Sequence, residues 1–232
     1  MQARDVMTMN VITVAPDTDV RVIAKKLLEN RISAVPVVDV AGRVVGVVSE
    51  GDLIRRPETG LERHPAWWLS FLLLPEEQAH KYVKTHGLHA QEIMTTHVIT
   101  ISEDDSLKAV ADTLEKHRIK RVPVMRDGQL VGIVSRADLL HGLIARQAST
   151  HPSSDDRTVK VAIEKALADA GVMAQRVNIV VSGGVVHLWG TVITPDEKEA
   201  VRVAAENAPG VTSVRDDVQA LPPDERAYWW AV

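Results

Sequence analysis

Two short stretches carry the residue types best suited to holding a ligand, Ser49-Glu50-Gly51-Asp52 and Ser135-Arg136-Ala137-Asp138. A serine followed three residues later by a carboxylate, just after an apolar run, reads first as a helix cap. The acid then sits near the positive end of the helix dipole. The same arrangement also suits binding. A helix N-terminus offers N–H groups to a phosphate, and a fixed carboxylate accepts hydrogen bonds from both hydroxyls of a ribose. Residue types alone leave these two readings level. No catalytic constellation assembles beside them: the chain has no P-loop, no Gly-x-Ser-x-Gly elbow and no dinucleotide fingerprint. His80, His86 and His89 lie close in sequence but lack a His-Glu-x-x-His pattern and accompanying carboxylates, so they are expected to be solvated or structural rather than metal ligands. With no cysteine in the chain, disulfides, thiolate ligands and cysteine nucleophiles are excluded. A non-enzymatic protein with no catalytic cofactor is expected.

The elements that position these residues come from an internal repeat. Met7-Thr8 recurs as Met94-Thr95, Val11-Ile12-Thr13 as Val98-Ile99-Thr100, and Val35-Pro36-Val37 as Val122-Pro123-Val124. Further on, Val45-Gly46, Val48-Ser49 and Asp52-Leu53 recur as Val131-Gly132, Val134-Ser135 and Asp138-Leu139. Each unit opens with a β-prone run (Val11 to Val14; Val98 to Ile101). An amphipathic helix follows, with Val20, Ile23, Ala24, Leu27 and Leu28 on one face, or Leu107, Val110, Ala111 and Leu114. Two strands come next (Val35 to Val38 and Val44 to Val48 in the first copy), turning at Gly42 or at Asp127-Gly128, and a second helix opens at Ser49 or Ser135. The order is strand, helix, strand, strand, helix.

That order closely resembles a CBS domain. The residues that carry the likeness are Asp5-Val6-Met7-Thr8, Ser33-Ala34-Val35-Pro36-Val37-Val38 and Gly46-Val47-Val48-Ser49-Glu50-Gly51-Asp52-Leu53. The second copy repeats it with Glu92-Ile93-Met94-Thr95, Lys120-Arg121-Val122-Pro123-Val124 and Gly132 to Leu139. The resemblance implies an α+β fold, with two βαββα repeats paired about a pseudo-twofold axis, and a homodimer formed through the pair. It also implies that each cleft joins the Ser-x-x-Asp of one repeat to the strand edge of the other. One site then holds Ser135, Arg136 and Asp138 with Thr13, Ser33, Ala34 and Val35. The other holds Ser49 and Asp52 with Thr100, Lys120, Arg121 and Val122. The implied ligand is an adenine nucleotide (AMP, ADP, ATP or NAD), its base between the apolar residues and its phosphates paired with Lys120, Arg121 or Arg136. Glu50 beside the second site opposes a polyphosphate, which favours AMP-like or dinucleotide ligands.

A polar stretch, Ala148 to Asp156, separates this region from a helix, two strands, a helix and a strand. That αββαβ order, with Val186-His187-Leu188-Trp189-Gly190-Thr191-Val192 and Pro209-Gly210-Val211, resembles a BON domain, and Gly190 reads as a bulge or close-packing position. The expected organisation is repeat 1 over 1–56, a Trp/Leu-rich helical spacer over 57–90, and repeat 2 over 91–147. A linker over 148–155, the BON domain over 156–222 and a tail over 223–232 complete it. The net charge of −4 and the absence of a basic stripe exclude a nucleic-acid binder. The first residues lack an export signal, and the apolar run from Trp67 to Leu74 is far short of the roughly 20 residues that span a bilayer, so a cytoplasmic location is expected. The functional expectation is a regulatory, signal-transducing protein with the BON domain as its interaction module for a protein partner. The alternative is an adaptor that meets a partner or a membrane surface through the BON domain, with the repeats serving only as a dimerisation scaffold.

Overall fold

The computed structural model describes residues 1–54, 83–145, 154–173 and 176–223. The expectations for the Trp/Leu-rich segment, His80, most of the linker and the end of the tail lie outside these residues. In chain order the first elements are α1 (Ala3–Val6), α2 (Val20–Glu29), β1 (Ala34–Val38), β2 (Val44–Ser49), α3 (Glu50–Ile54) and α4 (Ala90–Ile93). Next come β3 (Ile101–Ser102), α5 (Leu107–Lys116), β4 (Arg121–Arg126), β5 (Gln129–Ser135) and α6 (Arg136–Ala145). The C-terminal elements are α7 (Ser154–Asp169), β6 (Val177–Ser182), β7 (Val185–Val192), α8 (Pro195–Glu206) and β8 (Ser213–Ala220). Two compact units result. One holds Ile12–Val98 with Gly128–Leu130; the other holds Met1–Val11, Ile99–Asp127 and Val131–Val232.

In the first of these units, α2 starts because Asp19 accepts the Arg21 N–H at 2.7 Å, satisfying one donor that the helix cannot. Its apolar stripe of Val20, Ile23 and Leu27 packs with Val35, Val37 and Val48 from β1 and β2, and with Ala90 and Ile93 from α4. The two strands pair antiparallel, Ala34 opposite Ser49 and Val35 opposite Val48.

The other unit repeats this plan. Ser106 caps α5, whose Val110 and Leu114 pack with Val122, Val124 and Val134 of the strands and with Ala3, Val6 and Met7 of the N-terminal segment. A matched detail fixes the segment before each repeat. Thr8 bridges to Ile133 and Thr95 bridges to Val47. Beside those bridges, a Cβ at Gly132 would lie 2.4 Å from the Met7 sulfur, and one at Gly46 would lie 2.3 Å from the Met94 sulfur. The glycine makes room for the methionine in both copies.

The opening strand of each repeat is shorter than its sequence predicts. Val14 makes a single parallel bridge to Val37, and in the second copy β3 pairs with β4 over only two residues. The cause is the proline of Val-Pro-Val. Extending either ladder back by one step requires an N–H from Pro36 or Pro123, and proline has none.

The C-terminal domain follows the predicted αββαβ order. The β6–β7 hairpin turns at Gly183-Gly184, both at positive φ, and Asp156 on α7 accepts both turn N–H groups at 3.0 and 2.8 Å. β8 pairs parallel to β7 after the α8 crossover. It begins at Ser213, the preceding Val211 and Thr212 N–H groups being taken by Ala208 and Gly184 carbonyls. Val159, Ile163 and Leu167 of α7 pack on Ile179, Val181 and Leu188, together with Val201 and Ala205 of α8.

Candidate functional site

Each Ser-x-x-Asp lies where a strand passes directly into a helix, and in both the aspartate accepts the serine N–H, with the return bond of the reciprocal cap made at Ser135. At the end of β2 the Ser49 N–H and hydroxyl both donate to Oδ2 of Asp52, at 2.9 and 2.6 Å. The Glu50 N–H donates to the Ser33 carbonyl at 3.0 Å, which ties the start of α3 to the edge of β1. At the end of β5 the Ser135 N–H donates to Oδ2 of Asp138 at 2.7 Å, and the Asp138 N–H returns a bond to Ser135 Oγ at 3.3 Å. Here the Arg136 N–H reaches the Lys120 carbonyl at 3.1 Å. Two backbone junctions with one geometry therefore hold two buried carboxylates by Oδ2 alone, at 7% and 4% exposure. The second oxygen of each is directed to other partners.

Those partners differ between copies, and sequence reasoning missed both. Oδ1 of Asp52 lies 3.7 Å from the Lys84 ammonium, which also donates to Thr95 Oγ1 at 3.2 Å. Oδ1 of Asp138 accepts the side-chain amide N–H of Asn178, the second residue of β6 in the C-terminal domain, at 2.6 Å. The Asn178 carbonyl oxygen in turn accepts the Thr8 hydroxyl at 2.9 Å, which fixes the amide with its NH2 toward the aspartate.

The remaining expected site residues fall into the two units. Thr13, Ser33, Ala34 and Val35 share a unit with Ser49 and Asp52, whereas Thr100, Lys120, Arg121 and Val122 share one with Ser135, Arg136 and Asp138. Lys120 and Arg136 are exposed, and Thr100 is exposed just ahead of β3. Thr13, Ser33, Ala34 and Arg121 are half-buried. Val35 and Val122 are 0% exposed and belong to the hydrophobic cores. Their side chains pack the fold, so only their main chain is left to read a base edge.

Asn178 is one point of a larger contact between the C-terminal sheet and the second repeat. Arg157 Nε on α7 meets Asp5 at 2.9 Å. The fully buried Lys160 donates to the Met7 carbonyl at 2.8 Å, and its ammonium pKa is pushed down by burial, against the opposing pull of Glu164, Asp138 and Asp5. The Trp189 ring stacks on His141 of α6 at 4.2 Å and on His187 at 5.5 Å, while Val180 joins the core of the repeat. The β6–β7 sheet is thus covered on both faces, by its own helices and by the repeat. The legible signal was a β6 apolar at both parities, Val177-Asn178-Ile179-Val180-Val181, since a strand with one wet face alternates. His86 and His89 contact Thr85 and Glu92. Among the described residues, no group of three or more His, Cys, Asp or Glu is arranged to hold a metal ion, and no helix is long and apolar enough to cross a membrane.

Duplicated strand-helix junctions and a β–α–β-closed C-terminal sheet agree with comparisons to known proteins. The CBS domain model matches residues 3–58 and 90–145, and the BON domain model matches residues 155–222. The chain belongs to the CBS-domain family, with two CBS domains followed by a BON domain. It is 31% identical over 158 residues to an uncharacterized protein of Methanocaldococcus jannaschii, an overlap of 62% of this chain and 92% of that one. It is 28% identical over 141 residues to the chloroplastic CBS domain-containing protein CBSX1 of Arabidopsis thaliana, spanning 56% of this chain and 58% of the relative. The crystal structure of CBSX2 in complex with AMP superposes with a TM-score of 0.54 at 27% identity, covering 62% of this chain and 96% of that chain.

Proposed function

We propose that the chain is a regulatory protein whose CBS pair binds an adenosine-type ligand and whose BON domain passes the bound state on. The observation that carries this reading is the twice-built junction in which a buried aspartate is held by one oxygen at a strand-to-helix turn. A carboxylate so fixed is preorganised to accept a ribose diol, and the neighbouring helix N–H groups suit a phosphate. Its likeness to CBSX2, crystallised with AMP, supports the ligand class. Following the family pattern, Asp138 with Ser135 and Arg136 serves a site completed by Thr13, Ser33, Ala34 and the Val35 main chain. Asp52 with Ser49 serves a site completed by Thr100, Lys120, Arg121 and the Val122 main chain. A homodimer formed through the CBS pair and a cytoplasmic location complete the proposal, and no turnover is assigned to the chain.

A thermal-shift screen of the whole chain against AMP, ADP, ATP and NAD tests it. A ligand at about 100 times its dissociation constant adds roughly 2.7 kcal/mol to the stability of the state that binds it. At least one of these nucleotides is expected to raise the melting temperature by several degrees, and AMP or NAD by more than ATP. No shift with any of the four at millimolar concentration contradicts the reading. It leaves the adaptor alternative, in which the repeats are only a scaffold.

A further inference from the structure

We propose that Asn178 of the BON domain is an internal competitor for the ribose position at Asp138. Docking of the BON sheet and nucleotide binding at that aspartate then exclude each other. The inference rests on the nucleotide-binding reading above and deepens it. Three observations lead to it. First, the Asn178 amide donates to Oδ1 of Asp138 at 2.6 Å, the same kind of neutral N–H or O–H donation that a ribose hydroxyl would make there. Second, the amide is oriented for this by the Thr8 hydroxyl at 2.9 Å. Third, the other copy is an internal control. Asp52 has the same hold on its Oδ2, and there the Lys84 ammonium stands 3.7 Å from its Oδ1.

Oδ1 keeps a second lone pair, but Asp138 is only 4% exposed with the Asn178 amide against it, so a ribose hydroxyl needs the space that this amide fills. Asn178 is part of a sheet face that also carries Val180 and Trp189 against the repeat, so it does not leave alone. A nucleotide that takes Asp138 therefore releases the sheet and with it the contacts of Arg157 and Lys160 to the N-terminal segment. The second repeat becomes a switch. The energy available for undocking is the difference in ligand affinity between the docked and undocked states, and apparent affinity at Asp138 is reduced by the fraction of molecules that are docked.

The test uses the full chain with Asp52→Ala, so that only the Asp138 site responds, and titrates AMP, ATP and NAD by calorimetry. Adding Asn178→Ala, or Asn178→Asp to place a like charge against Asp138, is expected to tighten nucleotide binding about tenfold, the change that follows from losing one charge-assisted bond in the docked state. Hydrogen exchange provides the second readout: nucleotide is expected to raise exchange in 177–190 and 157–160 of the Asp52→Ala chain. Nucleotide affinity unchanged by both Asn178 substitutions, or binding with no rise in exchange over those segments, overturns the competition while leaving nucleotide binding intact. No binding by any variant whose circular dichroism is native overturns the nucleotide reading, and the competition with it.

Discussion

Gly190 sits at φ +138°, and a Cβ placed on it would lie 1.9 Å from the Arg176 carbonyl oxygen. A carbonyl cannot move aside as a side-chain end can, so both the conformation and the contact demand glycine. Gly190→Ala is expected to destabilise the BON domain by on the order of 3 kcal/mol, adding backbone strain to overpacking. Denaturant unfolding monitored by circular dichroism reads this directly, and a loss below about 1 kcal/mol would show that β7 relaxes at no cost. The sequence reading of Gly190 as a close-packing position is matched at this residue. Asp138 is the opposite case. Its type and spacing announced a cap, and the cap is there, but nothing in Ser-x-x-Asp foretells that an asparagine forty residues later takes the other oxygen. Long-range pairing of short polar groups leaves no periodicity to read.

At the scale of elements, the packing of α6 against β7 places two imidazoles in a poorly solvated setting. Burial pushes the His141 pKa down, against the pull of Asp138 and Asp217. Burial and Arg215 push His187 down, against Asp217. Nδ1 of His141 and Nε2 of His187 are buried with no hydrogen-bond partner among the described residues. Both rings are thus neutral when folded at pH values where the unfolded chain takes up protons. The linkage sign follows: stability contributed by neutral rings is complete above the unfolded value of about 6.5 and is lost as pH falls through it toward the lower folded values. Glu164, whose pKa burial raises, acts in the opposite direction at the acidic end, so the comparison must be between variants rather than of one chain alone. Melting temperatures at pH 7.5 and 5.5 are expected to fall less in His187→Gln than in the parent. An identical fall in both would contradict this account of β7.

Much of this scale was legible. The spacing of Val20, Ile23 and Leu27 and the repeat itself placed α2 and both Ser-x-x-Asp junctions. Less legible was the opening strand of each repeat, where β-prone residues were present but Pro36 and Pro123 sit on the partner strand and withhold the N–H that the ladder needs. Strand propensity belongs to one segment; a ladder needs donors from two.

For the whole molecule, the duplicated plan yields two junctions of one geometry in unlike surroundings. One aspartate is near a lysine, and the other is hydrogen-bonded to the BON sheet. The repeat supplies the common hold on Oδ2, and the residues around it differ at Oδ1. The apolar residues left outward on α6, Leu140 and Leu143 at 62% and 61% exposure, are the expected meeting surface for a second copy in the proposed dimer. Leu143→Glu is expected to convert the dimer to a monomer in sedimentation velocity, and an unchanged sedimentation coefficient would place the contact elsewhere.

The central claim is that the two buried aspartates are ligand-holding groups and not caps alone. Calorimetric titration of AMP into the parent chain and the Asp52→Asn, Asp138→Asn and doubly substituted chains tests it most directly. Asparagine keeps the size and the oxygen acceptor of the cap but lacks the second carboxylate oxygen and the charge. The account predicts that each single substitution removes one component of the binding isotherm and that the double substitution abolishes binding, with circular dichroism unchanged. Undiminished AMP binding by the folded double variant would contradict it.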